Sequence, residues 1–492
     1  MQQEISKHIE KNREYVQDKL GADESFDIVT RNFEIGEREA SLIFIDGFIK
    51  DHLIFPLRSL MGLTREDISV NSIKKILNCH LPYYEVETAQ DFDTIITEIM
   101  SGAQCLFLNR VDQAIIIDGR TWLTRTPEEP ELEKSTRGPA DGFVETMLFN
   151  VNAVRRRIRD PNFRAEVLQV GKRSKSDVAL MYIKDIINPD LLQDVKSKLE
   201  GINIDGLPLG DKSVEEIITG GTLNPLPLVR YTERPDNVAA HILEGNLVLI
   251  IDNSPTALIL PAPFFSHLQT LEVFRKGPVN GTYLSVIRLL ALFFSVLLPA
   301  VWLLMAINPE LKPEILNFIG VREESTIGLG VQFILASLGI DLIRVASVQT
   351  PNTLATSLSL IGALLLGDFA VQVGLFSPEV ILYMSVSAIS NFAIPGYELA
   401  LSLKLCRFFI LVLTILAGIW GFGISLAVIF IWMVFTKSFG VYYLWPLIPF
   451  DYQALKSYFF RESIMDLSHI RPRAYKTRDS DRTVKKDDEE EN

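Results

Sequence analysis

The stretch LLALFFSVLLPAVWLLMAI, Leu289 to Ile307, carries no charge over 19 residues. At about 1.5 Å per residue a helix of that length crosses a hydrocarbon core of about 30 Å. Pro299 in its middle predicts a kink and not a stop, because carbonyls freed inside a membrane can find donors on neighbouring helices. This segment divides the chain. Before it, Met1 to about Tyr283 mixes charged and apolar residues as a water-soluble protein does; from Leu284 to Phe435 the chain is membrane-like; from Thr436 to Asn492 it is polar again.

Composition agrees with that division. The chain has 492 residues, 48% hydrophobic and 22% charged, with a mean hydropathy of +0.21. So apolar an average beside so many charges requires the apolar residues to be concentrated. Lys and Arg number 48 against 61 Asp and Glu, a net charge of -13. That sign argues against a general phosphate-binding surface and excludes nucleic acid as the expected partner. Cys79, Cys105 and Cys406 show neither CxxC spacing nor a nearby His cluster, which fits neither a disulfide framework nor a zinc site. MQQEISKHIEKNREYVQDKL at the N-terminus has no apolar core, so it does not read as a secretory signal, and the first large region is expected to stay in the cytoplasm.

Within that region short apolar runs alternate with helical stretches. Met1 to Leu20 reads as a polar helix, Phe26 to Phe33 and Ser41 to Asp46 as strands, Asp51 to Met61 as a helix, and Gln104 to Gly119 as a hairpin. The order then recurs. Ala165 to Val170 and Val178 to Ile183 read as strands, Pro189 to Leu199 as a helix and Asn246 to Leu260 as a hairpin. Phe44 to Met181 is an offset of 137 and Leu108 to Ile250 one of 142, which points to a degenerate duplication. The expected fold is therefore an α/β cytoplasmic region of two similar α/β subdomains, 1–125 and 141–280, joined by a linker at 126–140. A helix is expected to start near Asp141 as its N-cap. An α-helical polytopic membrane domain of 4–6 segments follows at 284–435, then a cytoplasmic segment at 436–470 and a disordered tail at 471–492.

Beyond the first span, Thr326 to Ile340 runs on into Asp341 and Arg344 with an apolar stripe. Leu354 to Phe376 holds one charge, Asp368, and Val380 to Ile394 is short. Phe408 to Phe435 has 28 residues without a charge, interrupted by Gly418, Gly421 and Gly423, and reads either as one tilted helix or as two arms of a re-entrant hairpin. Arg275, Lys276 and Arg288 precede the first span, while Lys404, Arg407, Lys437 and Lys456 flank the last stretch. By the positive-inside rule both termini are cytoplasmic.

No catalytic arrangement is present: six scattered histidines, no GxSxG, no P-loop and no strand-linked GxGxxG. The chain does not read as an enzyme, and no cofactor is implied. Arg155, Arg156, Arg157 and Arg159 form a basic run whose readings are a solvated helix face or contact with anionic lipid or an acidic subunit. In the membrane half Asp341, Arg344, Asp368, Gln372, Ser387 and Asn391 are candidate pore-lining groups, since a carboxylate at that depth costs at least about 2.5 kcal/mol unless it meets water or a partner. Asp341 and Arg344 have a spacing that permits pairing within their own helix. Gly362, Gly367 and Gly374 would let helices approach closely. These polar faces read equally as an aqueous path or as a buried interhelical hydrogen-bond network.

The ordered motifs EEPELEKSTRGPADGF (Glu128 to Phe143), NVNAVRRRIRDPNF (Asn150 to Phe163), PLVRYTERPDNVAAHILEG (Pro227 to Gly245), DLIRVASVQTP (Asp341 to Pro351), LIGALLLGDFAVQVGLFSPEV (Leu360 to Val380), AISNFAIPGYELAL (Ala388 to Leu401) and SFGVYYLWPLIP (Ser438 to Pro449) resemble the A subunits of the GerA-type spore germinant receptors. The resemblance implies a multi-pass protein of the spore inner membrane with its soluble regions on the core side. It implies a homo-oligomer, a pentamer, forming a cation channel that triggers or amplifies germination. The implied partners are other germination membrane subunits or a small membrane partner. The alternative is a non-conducting signalling or scaffold subunit. The family's membrane motifs place the pore-forming region at Asp341 to Pro351 and Leu360 to Ile394. Asp368 stands where a less charged residue is common in the receptor-type members.

Overall fold

The computed structural model describes residues 5–48, 60–64, 76, 85–118, 133, 137–221, 223–312, 314–316, 320–321, 326–349, 362, 369–461, 474 and 477–478. The chain divides into two compact units, one made of 1–222, 229–261 and 468–492, the other of 223–228 and 262–467.

The first unit contains the duplication in full. Its first half runs α1 (Ile9–Leu20), β1 (Ile28–Ile35), β2 (Arg38–Ile45), β3 (Glu85–Ala89), α2 (Phe92–Met100), β4 (Gln104–Leu108) and β5 (Ala114–Asp118). The second half runs α3 (Met147–Arg155), β6 (Phe163–Val170), β7 (Ser176–Ile183), α4 (Pro189–Gly201), α5 (Asp211–Thr219), β8 (Arg230–Thr232), α6 (Pro235–Leu243), β9 (Leu247–Ile251) and β10 (Ala257–Leu260). The sheets have the same order, β1-β2-β4-β5-β3 and β6-β7-β9-β10-β8. Both are antiparallel, with Ile28 opposite Ile45 and Phe163 opposite Ile183 in the leading hairpins. The central strands β4 and β9 are buried along their whole length, which explains their unbroken apolar runs.

The repeat extends to single hydrogen bonds. The side chain of Asn12 on α1 accepts from Ser6 N at 2.8 Å and donates to Ser6 O; Asn150 on α3 does the same to Val144, accepting at 2.8 Å. At the hairpin tips Arg110 and Asn253 both have positive φ, 66° and 64°. Their amides donate to Lys7 O and Glu145 O at 2.9 and 2.8 Å, so each tip is tied to the segment leading into its half's first helix. No helix starts at Asp141, where the sequence places an N-cap. The helix after the linker begins at Met147 with Thr146 as N-cap, while Asp141 instead receives the guanidinium of Arg157. Most of the expected helix at 51–61, whose last two residues are helical, most of the 126–140 linker and most of the 471–492 tail lie outside the described residues.

The second unit is helical. Pro278–Val296 (α7) and Leu298–Ile307 (α8) are interrupted at Leu297, and Pro299 lies in the first turn of α8. Leu329–Gln349 (α9), Pro378–Phe392 (α10) and Tyr397–Phe435 (α11) follow. Among the described residues three helices are long and apolar enough to cross a membrane: Pro278–Val296, Leu329–Ser347 and Tyr397–Phe435. Trp302, Phe333, Met384, Ile410 and Leu411 form the core between them.

The alternatives for the last apolar stretch are decided by Gly418, whose φ and ψ of 57° and -133° are non-helical. In a continuous helix residues 413 and 421 would stand about 12 Å apart. Here a Cβ on Gly421 would collide with the carbonyl oxygen of Leu413, so the chain doubles back. Leu399 and Leu403 at one end of α11 share a cluster with Met433 at the other. Tyr397–Phe435 is thus a helical hairpin with arms 397–417 and 419–435, about 31 and 25 Å long. It starts eleven residues before the uncharged stretch that predicted it, and takes Lys404 and Arg407 into its first arm.

Candidate functional site

Proline at 299 has no N–H, so the carbonyl of Ser295, four residues back, loses its helical donor. The Ser387 hydroxyl of α10 donates to that oxygen at 2.8 Å, and Arg407 Nη1 of α11 approaches it at 3.5 Å. Arg407 Nη1 also donates to Ser387 Oγ at 2.9 Å, and its Nη2 to Ser337 Oγ of α9 at 3.2 Å. Asn391, one turn from Ser387, donates to Ser295 Oγ at 3.1 Å and to Ala400 O at 3.0 Å. One guanidinium, 2% exposed, therefore joins α7, α9, α10 and α11. Every acceptor it uses is neutral, Nε has no hydrogen-bond partner, and among the described residues no carboxylate lies within ion-pair distance of it. A cation with such partners in a low-dielectric interior is held by geometry more than by charge neutralisation.

One turn away, Lys404 of α11 pairs with Asp341 of α9 at 2.5 Å, the lysine side chain 13% exposed and the aspartate 40%. The pairing of Asp341 with Arg344 inside α9 does not form. Lys404 takes the carboxylate, and Arg344 lies over the rings of Phe392 and Tyr397, 5.5 and 4.9 Å from their centroids, a cation–π arrangement.

Of the remaining candidates, Gln372 is exposed at the end of the short helix Ala370–Gln372. Gly362 abuts α9 closely enough that a Cβ would lie 2.6 Å from Ile343 Cδ1. Gly374 is a turn residue with φ of 73°, its carbonyl accepting from Thr326 Oγ1 at 3.1 Å. Asp368 and Gly367 lie outside the described residues. The basic run separates by burial. Arg155 is fully buried, bonded bidentately to the equally buried Asp27, with 2.8 Å between Nη2 and Oδ1, and stacked 4.7 Å from the Phe163 centroid. It is thus unavailable to a headgroup or a subunit, because the helix face that carries it packs inward. Arg157 is paired with Asp141 at 2.6 Å, while Arg156 and Arg159 are exposed, the latter within 3.5 Å of Ser101 Oγ. Among the described residues no cluster of His, Cys, Asp and Glu is placed to hold a metal ion.

The sequence reading missed Arg407, Lys404 and Ser295 as site residues. Pro299 was the available signal, since it marks the carbonyl four residues earlier as one that needs a donor. In the sequence both cations serve only as markers of orientation.

Comparison with known proteins places these residues in a family. The family described as Bacillus/Clostridium GerA spore germination protein matches residues 14–474. Stage V sporulation protein AF of Bacillus subtilis (strain 168) is 40% identical over 446 residues, 90% of each chain. Spore germination protein KA of the same organism is 31% identical, covering 93% of this chain and 85% of that protein. Among solved structures, the N-terminal domain of the A subunit of the Bacillus megaterium spore germinant receptor GerK3 overlaps 54% of this chain and 98% of that one, at 28% identity and a TM-score of 0.42.

Proposed function

The chain belongs to the GerA family of spore germination proteins, and on that premise we propose that copies of it assemble in the spore inner membrane as a pentameric ring around a cation-conducting pore. The observation that carries this reading is Asp341. It sits about 18 Å along α9 from its start, near the middle of the helix, and its side chain is 40% exposed. A carboxylate left open to hydrocarbon at that depth is costly, so the exposed part is accounted for by water or a polar surface between copies. Lys404 offsets part of the charge, and the exposed side of an aspartate repeated around an axis would attract cations and repel anions. Gln372 and Arg344 are the other candidates for that surface. Ser387 and Asn391 are not, because their hydrogen bonds are used inside the chain. In this arrangement both termini and the α/β unit lie on the core side, and other germination subunits or a small membrane partner complete the complex.

The second reading, a non-conducting signalling or scaffold subunit, is favoured by the same two residues: Ser387 and Asn391 are buried in an interhelical hydrogen-bond network and present no exposed face. The two readings separate on the mass of the detergent-extracted complex. A particle of five chains fits the pore, and a monodisperse single chain contradicts it.

A further inference from the structure

α9 and α11 run antiparallel and meet through a ladder of side chains. Lys404 faces Asp341, Arg407 faces Ser337, and Gly330 lies against Ile415. Lys404 and Arg407 are three residues apart and Asp341 and Ser337 four, so the two polar rungs are separated by about one helical turn, 5.4 Å. A slide of the first arm of α11 by that distance toward its Tyr397 end would lift Lys404 off Asp341 and bring Arg407 opposite it.

We infer that α9 and the 397–417 arm form a two-position ratchet, in which Asp341 is held by Lys404 in one position and by Arg407 in the other. The two positions have compensating contents. In the first, Arg407 has the hydroxyls of Ser337 and Ser387 and the carbonyl freed by Pro299. In the second it gains a carboxylate, a stronger charge-assisted partner, and gives up those bonds together with the one from Asn391 to Ala400 O. Lys404 travels toward the membrane surface, where its long side chain keeps the ammonium hydrated. Packed helices move between such discrete registers, one turn apart, more readily than through intermediate ones. The inference concerns the single chain and stands whether or not the assembly conducts.

The test uses spin labels at Val345→Cys and Leu416→Cys, which are 58% and 76% exposed and stand well apart along the helix axis, one toward the far end of α9 and the other near the hairpin tip, in full-length protein whose Cys79, Cys105 and Cys406 are replaced by alanine. A single narrow distance in this parent establishes its fold. Adding Ser337→Ala and Ser387→Ala weakens the first position and is expected to shift a fraction of the distribution by up to about 5 Å. Adding Asp341→Asn as well removes the carboxylate from both positions, leaving the first with the bond from Asn391 to Ala400 O and the second with no comparable partner, and is expected to abolish the shift. An unshifted distribution in the serine double variant overturns the inference, and so does a shift that persists with Asp341→Asn. Hydrogen exchange over 397–417 in the native-cysteine chain repeats the comparison without labels: faster exchange in the serine variant that Asp341→Asn reverses supports it, and exchange indifferent to Asp341 overturns it.

Discussion

Pro299 and Ser387 are coupled through an atom that belongs to neither: the ring at 299 strips Ser295 O of its amide donor, and Ser387 Oγ supplies another at 2.8 Å. Ser387→Ala alone is expected to cost about 1–2 kcal/mol, the penalty of a buried acceptor left short of a donor. In a Pro299→Ala background the new amide at 299 can bond to Ser295 O, so the same substitution should cost about 1 kcal/mol less. Unfolding in detergent of the four proteins of this cycle measures the coupling.

Arg407 is surrounded by neutral acceptors, so its removal need not be harmful if its volume is kept. Arg407→Met is expected to unfold within about 1 kcal/mol of the parent, since buried charges are often replaced by apolar groups of like size without loss. Arg407→Ala leaves a cavity and should lose about 3 kcal/mol. Thermal unfolding in one detergent compares them.

Asp27 and Arg155 are both fully buried. Asp27→Asn strands a guanidinium in the interior and should destabilise the α/β unit by about 3–5 kcal/mol. Adding Arg155→Met should recover most of that loss, which denaturant unfolding of the soluble transition will register.

His241 is half-buried beside Arg230; desolvation first, and the charge of Arg230 second, push its pKa down to about 3. The folded protein then keeps this ring neutral where the unfolded chain, with an ordinary value near 6.5, binds a proton. Stability from this group is complete above pH about 6.5 and declines as pH falls toward 3, by up to about 1.4 kcal/mol per unit. His241→Gln should flatten that slope between pH 6 and 4 in unfolding measurements.

Gly418 occupies backbone space that an L side chain rarely enters, and Gly421 has no room for a Cβ beside the carbonyl of Leu413. Gly421→Ala is expected to open the hairpin and move the tip. A cysteine placed at exposed Leu416 should then change its labelling rate, whereas Gly423→Ala, where a Cβ meets nothing within 4 Å, should leave it unchanged.

Period and repetition make most of the architecture legible in the sequence. The runs at 104–118 and 247–260 are hairpins, the two halves share one strand order, and the first span breaks within two residues of its proline. Boundaries set by caps were harder: Asp141 has the chemistry of an N-cap, but an arginine 16 residues on claims it. The membrane site was only half legible, because spacing along one helix shows which groups share a face and not which helix that face meets. Asp341 and Arg344 stand three apart, yet each finds its partner on another segment. Arg155 illustrates the same limit in the soluble unit, since a run of four arginines within five residues cannot show that the first of them points inward.

The central claim, that copies of this chain surround a cation path bordered by Asp341, is tested most directly by recording single-channel currents from the purified full-length protein in planar bilayers, beside the Asp341→Asn variant. Cation-selective openings whose conductance or selectivity falls when the carboxylate is neutralised are the expected result. A correctly assembled complex that passes no current, or one whose current is indifferent to Asp341, contradicts it.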